Sequence, residues 1–217
     1  AAMIGPDVAA VIVEPVQGVA GAFDLAPEFM TALREATARH GALLIADEVQ
    51  SGMGRSGRFF ASKAYGIEPD ILTAAKSLAG GLPAGAVLAS DAVAAAFGPG
   101  SLGTTFGGGP LAAAATVAVL DAIRAEDLLT NVRAREVEIR ETCAIGPVER
   151  IQGMGLLLGL VCDRPAIDVQ AALLDHDILT GTSADPHVLR ILAPLVLETH
   201  HVERLRQALA AIPPARL

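Results

Sequence analysis

Asp47 and Lys76 each stand directly after a short run of strand-forming character, residues 42–46 in one case and 71–75 in the other. In open parallel sheets, ligands bind beyond the carboxyl ends of the strands, so both side chains are placed to point into one crevice. A lysine in an apolar site is deprived of water, which lowers its pKa and frees a neutral, nucleophilic amine near neutral pH. A carboxylate nearby can hold positive charge on whatever that amine captures. Taken singly, Asp47 reads as a strand-end cap and Lys76 as a solvated loop charge; the surrounding residues have to decide.

The elements that must position this pair follow from periodicity. Residues 8–13 read as a buried strand ending at Glu14-Pro15. A helix over residues 27–40 carries Phe29, Met30, Leu33 and Ala36 on one face, and Gly41 stops it. Strands follow at 42–46, 71–75 and 84–89. Gly98-Pro99-Gly100 and Gly107 to Pro110 punctuate the chain, and Pro110 is suited to start an Ala-rich helix over 111–124. A second helix covers about 128–142. From Val148 the pattern becomes strand, Gly turn, strand, then a helix from about residue 167. Short strands around Leu179 and over 188–192 and a last helix over 200–211 complete it. This order predicts an α/β fold, a mostly parallel sheet with helices on both faces, over residues 1–124. A smaller α+β domain is expected over 125–217.

Composition narrows the function classes. The 217 residues are 52% hydrophobic and 18% charged, with a mean hydropathy of +0.49, which fits much buried sheet. A net charge of -8 disfavours a nucleic-acid or anionic-membrane surface, since both depend on basic patches. Apolar runs are broken by Gly, Pro and charges before membrane-spanning length. Two distant cysteines, Cys143 and Cys162, indicate no disulfide framework. The N-terminal residues lack a basic stretch ahead of an apolar one, so no signal peptide is expected, and a soluble, cytoplasmic protein with small-molecule partners fits best.

Longer stretches then carry a resemblance. VIVEPVQG, LLIADEVQSGMGRSGRFFA, PDILTAAKSLAGGLPAGAVLAS and SLGTTFGGGPLAAAA occur in that order across the first 120 or so residues. Together they resemble the class III aminotransferases of the ornithine and acetylornithine type. The resemblance implies a fold type I transferase with pyridoxal 5'-phosphate (PLP) as cofactor. Lys76 matches the lysine that carries PLP as a Schiff base, and Asp47 the partner of the pyridinium nitrogen. Val49 would pack on the ring and Gln50 would hydrogen-bond its phenolic oxygen. Thr105, with the backbone around Gly107, matches a threonine that reaches the cofactor phosphate of a neighbouring subunit, which implies a homodimer. Arg190 matches an arginine that pairs with a substrate carboxylate, a role suited to its planar fork. The implied reaction is ping-pong transfer of an amino group from an acetylornithine-like, ornithine-like or other ω-amino donor to 2-oxoglutarate.

The sequence departs from that pattern at several places. Val19 stands where ornithine-type members have a glutamate that masks the substrate arginine, Gly109 replaces an asparagine, and Gln152 replaces an arginine. Family members are also about twice this length, and their N-terminal half supplies a phosphate loop and a ring-stacking aromatic. Competing readings stay in view: an aminomutase of the glutamate-1-semialdehyde type, or a non-catalytic dimerising fragment. Gly52, Gly54 and Gly57 spell a dinucleotide-type glycine pattern, but Asp47 and Glu48 would lie beside a pyrophosphate. Lys76-Ser77 lacks the glycines of a Walker lysine. His200 and His201 are adjacent, diverge on a helix, and with His40, His176 and His187 give no metal-binding spacing.

Overall fold

A computed structural model describes residues 3–215. In chain order the elements are β1 (Ala10–Val13), β2 (Val16–Gln17), β3 (Phe23–Asp24), α1 (Pro27–His40), β4 (Leu43–Asp47), β5 (Ile71–Ala74), β6 (Ala86–Ala89), α2 (Asp91–Ala94) and α3 (Pro110–Ala125). Then come α4 (Leu128–Thr142), β7 (Val148–Met154), β8 (Leu157–Cys162), α5 (Ala166–Leu174), β9 (Val188–Ile191) and α6 (Thr199–Ala211). They form two compact units. The first comprises residues 1–15, 25–53 and 58–126, and the second residues 16–24, 54–57 and 127–217.

The first unit is built on a sheet of order β1-β4-β5-β6. β1, β4 and β5 run parallel, so their carboxyl ends lie on one edge. β6 pairs antiparallel with β5, so the sheet is mostly and not wholly parallel. The reason is local: the chain turns back through the Lys76–Ala79 turn and the glycines at 80 and 81, with no crossover helix between the two strands. α1 begins with Pro27, whose missing N–H is not needed at a helix start, and ends at Gly41 in the left-handed conformation. Its Met30, Leu33 and Ala36 pack with Leu44 and Ile67. Arg34 on that helix pairs with Asp70 at 2.8 Å, and Asp70 also accepts the Leu44 N–H at 2.7 Å, fixing the start of β5 beside β4.

The second unit has a sheet of order β7-β8-β9, antiparallel throughout. Central β8 is buried on both faces. Leu158, Leu160 and Cys162 face a core shared with Val132 and Ile139 of α4, Val169 and Leu173 of α5, and Val202, Leu205 and Leu209 of α6. On the other face, Leu157 packs with Val16 and Ala22 of the β2–β3 hairpin. The hairpin lies close because β8 offers only Gly159 beneath it; a Cβ there would come within 2.1 Å of the Gly21 carbonyl oxygen. The strand expected around Leu179 does not form. Leu179 is exposed, and only an isolated bridge between Gly181 and Arg190 extends the edge of β9. Among the described residues, no helix is long and apolar enough to cross a membrane.

Candidate active site

The carboxyl edge of β4 and β5 brings Asp47 and Thr73 into register. The Thr73 hydroxyl donates to Asp47 Oδ1 at 3.1 Å, and the Val49 N–H donates to the same oxygen at 3.0 Å. Oδ2 has no hydrogen-bond partner among the described residues. The carboxylate is thus held by one oxygen and offers the other to a cationic N–H donor. Val49 and Gln50 follow in the turn, both half-buried.

Lys76 begins the one-turn 3-10 helix Lys76–Ala79, immediately beyond β5. Ala75 is extended, and Lys76 then adopts φ 52°, the left-handed region that non-glycine residues seldom enter. Such strain recurs where a side chain must be aimed rather than merely accommodated. The amine has no hydrogen bond or ion pair among the described residues. Its side chain is exposed, however, and not enclosed in the apolar surroundings expected from sequence: the turn projects past the strand end, and only Leu78 and Ala79 of it are buried.

Thr105 lies in the exposed glycine-rich stretch between α2 and α3. Its neighbour Thr104 accepts the Gly107 N–H at 3.0 Å, whereas the Thr105 hydroxyl has no partner among the described residues. Phe106 beside it is 93% exposed and Leu102 75%, unusual values for large apolar side chains. Gly109 forms the N-cap of α3 without a side-chain hydrogen bond, a bond that an asparagine there could supply.

Arg190 belongs to the second unit. It sits half-buried on β9, where Nε donates to the Thr182 carbonyl at 2.7 Å and Nη1 to the Gly18 carbonyl at 3.2 Å. Nη2 and the second N–H of Nη1 remain for an anion. Val19, 58% exposed, follows directly after Gly18, so no carboxylate from that position competes for the guanidinium. Gln152 accepts from Arg150 at 2.7 Å and donates to the Gly21 carbonyl at 3.0 Å, so its amide is used on both sides. His201 accepts the Glu198 N–H through Nδ1 at 3.2 Å and so caps α6. Among the described residues, no group of three or more His, Cys, Asp or Glu could hold a metal ion.

The aminotransferase class-III family profile matches residues 1–212. The chain belongs to the class III aminotransferase family. Acetylornithine aminotransferases are among its relatives: that of Corynebacterium efficiens is 42% identical over 207 residues, covering 95% of this chain and 51% of the relative. That of Streptomyces coelicolor is 44% identical over 217 residues, covering 98% of this chain and 54% of the relative. Among solved structures, an ornithine aminotransferase from Toxoplasma gondii with partial PLP occupancy at its active site superposes with a TM-score of 0.87 at 31% identity, over 95% of this chain and 52% of that one. N-acetylornithine aminotransferase from Stenotrophomonas maltophilia gives 0.85 at 36%, over 97% and 58%. The chain therefore spans about half the length of the relatives it matches.

This class III family is PLP-dependent, and the residues present fit the cofactor's needs. Asp47 keeps an unpaired carboxylate oxygen and Lys76 an unpaired amine; Asp47 is the last residue of β4, and Lys76 follows the carboxyl end of the adjacent parallel β5. Thr73 was not singled out from sequence. A lone polar residue within Ile-Leu-Thr-Ala-Ala was the available signal, and only the strand register shows that it faces Asp47.

Proposed function

We propose that this chain carries the lysine and carboxylate of a PLP-dependent aminotransferase site. Completed to the length of its relatives, it transfers an amino group from an acetylornithine-like, ornithine-like or other ω-amino donor to 2-oxoglutarate. The observation that carries the reading is the free Oδ2 of Asp47 beside the strand that delivers an unpaired Lys76. Residues 1–124 then serve as the C-terminal portion of the cofactor-binding large domain, and 125–217 as the small domain.

PLP, when bound, supplies an electron sink for the carbon that loses its proton. Asp47 Oδ2 holds positive charge at the ring nitrogen, with Thr73 and the Val49 N–H preventing the carboxylate from rotating away. Val49 would pack on the cofactor ring and Gln50 would hydrogen-bond its phenolic oxygen. Lys76 Nζ would anchor the cofactor and, when free, would act as the base that takes the substrate proton and the acid that returns it two atoms along. Arg190 offers the N–H groups its carbonyl partners leave over to a substrate carboxylate. Because Val19 supplies no masking carboxylate, Arg190 stays open to a carboxylate in both half-reactions, which argues against a specific choice of ornithine or acetylornithine as donor.

Thr105 acts across a homodimer, reaching the phosphate held by the second copy. The exposure of Leu102, Phe106 and Leu111 around it supports a covered state for this stretch. The test is amino transfer to 2-oxoglutarate from a panel of α- and ω-amino donors, in the chain completed to the length of its relatives and in its Lys76→Ala variant. Loss of transfer by about 100-fold or more is expected in the variant. Equal turnover in both would end the proposal.

A further inference from the structure

Glu48, next to the cofactor-facing carboxylate, is the most buried ionisable residue of the first unit, at 1% exposure, and the scheme above gives it no part. Successive residues at a strand end point to opposite sides, so Glu48 turns inward where Asp47 turns out. Both its oxygens are consumed. Oε2 accepts the Ser51 hydroxyl and the Ala61 N–H, each at 2.8 Å, and Oε1 accepts the Ser62 N–H at 2.7 Å. Its own main chain is held as well, the N–H donating to the Thr73 carbonyl at 3.0 Å and the carbonyl accepting the Gly52 N–H at 2.9 Å.

These donors come from two stems. Ser51 and Gly52 belong to the turn that leaves β4, and Ala61 and Ser62 open the 3-10 helix Ala61–Tyr65, whose free N–H groups suit a carboxylate. Between the stems the chain departs, and residues 54–57 are counted in the other unit. Glu48 closes the base of that excursion within its own unit. The turn it closes contains Val49, whose N–H orients Asp47, and Gln50. Gly52 has to pack tightly over it: a Cβ there would meet the Glu48 carbonyl oxygen at 2.7 Å and Phe60 at 3.2 Å.

We propose that Glu48 is a positioning residue that clamps the Asp47–Gly52 turn to the start of the Ala61–Tyr65 helix and thereby fixes the orientation of Asp47, Val49 and Gln50. The inference rests on the cofactor reading only for its functional consequence; the clamp itself is a property of the chain without cofactor. Glutamine at 48 keeps the length but sets an NH2 group against a backbone N–H, so at least one of the three bonds is lost. Aspartate is one methylene too short to reach both stems.

The test is amide hydrogen exchange on the chain without added cofactor, in the native protein and in Glu48→Gln and Glu48→Asp, followed by titration with PLP. Exchange at Ala61 and Ser62, and also at Val49 and Gly52, is expected to quicken at least tenfold in both variants, with Ile45 and Leu72 in the sheet unchanged. Apparent PLP affinity is expected to fall at least tenfold. Faster exchange confined to Ala61 and Ser62, with Val49, Gly52 and PLP affinity unmoved, would show a purely structural contact and overturn the proposal. A native chain that takes up no PLP, while exchange at all four amides responds as expected, would sink the cofactor reading and leave the clamp standing.

Discussion

Replacing Gly159 with alanine tests how the second unit holds the surroundings of Arg190. Gly159 is paired in register with Gln152 on one side and Arg190 on the other, beneath the β2–β3 hairpin. An added Cβ would stand 2.1 Å from the Gly21 carbonyl oxygen, 2.8 Å from Val188 Cγ1 and 3.2 Å from Gln152 Cγ. The first contact is with backbone, which cannot swing aside as a side-chain tip can. Opening 2.1 Å to the 3.0 Å that real Cβ atoms keep requires a shift of about 0.9 Å. Such a shift would carry the Gly18 carbonyl, 3.2 Å from Arg190 Nη1, out of hydrogen-bonding range. Overpacking of this kind costs about 1–3 kcal/mol, and the rigid partner places the expected loss at about 3 kcal/mol. With a urea dependence of about 1–3 kcal/mol per molar, the unfolding midpoint falls by about 1–3 M, read by circular dichroism. Gly103→Ala is the control, since nothing lies within 4 Å of its Cβ and its φ is not left-handed. A Gly159→Ala midpoint indistinguishable from that control would refute the packing argument.

Thr73→Val removes the hydroxyl that donates to Asp47 Oδ1 while keeping shape and strand preference. Loss of one such bond, about 0.5–1.5 kcal/mol, should weaken PLP binding by about two- to tenfold in a spectroscopic titration, and an unchanged affinity would count against Thr73 as the support of Asp47. Leu160→Ala, at a fully buried position in the second core, should cost about 3–5 kcal/mol in urea unfolding; a loss below about 1 kcal/mol would contradict that core. Burial raises the Cys162 thiol from 9.0 to about 11, so the unfolded chain releases this proton first as pH rises. The thiol's contribution to stability is whole below pH 9 and lost between pH 9 and about 11. Urea midpoints should therefore fall more steeply over that window in the native chain than in Cys162→Ala, and parallel declines would contradict it.

Much of the fold was legible because several elements announce both ends. Pro27 and Gly41 bracket α1, and the apolar face between them fixes its period. The helix over Leu128–Thr142 also lies where periodicity placed it. Elements that depend on distant partners were not legible. β2 and β3 are two-residue strands that exist because the hairpin lies over Gly159, 130 or more residues away, and no local pattern reports that. The apolar stretch at Leu179 suggested a strand from composition alone, but it finds only one bridge and stays exposed. β6 had a strand's composition but not its direction, which the turn after Lys76 sets.

At the candidate site, position was easier to read than environment. Asp47 and Lys76 were visible as residues following strands. That Thr73 and Val49 occupy one oxygen of Asp47 depends on strand register, and that Glu48 is buried by three donors depends on a segment returning at Ala61 and Ser62. The exposure of Lys76 is not legible in the sequence, because apolar neighbours along the chain need not be apolar neighbours in space. For Arg190, the free fork expected from residue type is partly spent on the carbonyls of Gly18 and Thr182.

The central claim is that Lys76 carries the cofactor, with Asp47 as its electrostatic partner. The most direct measurement is borohydride reduction of the purified chain after incubation with PLP, followed by peptide mapping. Stable label is expected on Lys76 above any other lysine, greatly reduced in Asp47→Ala. Label spread over Lys63 and Lys76 alike, or unchanged by loss of the Asp47 carboxylate, would contradict it.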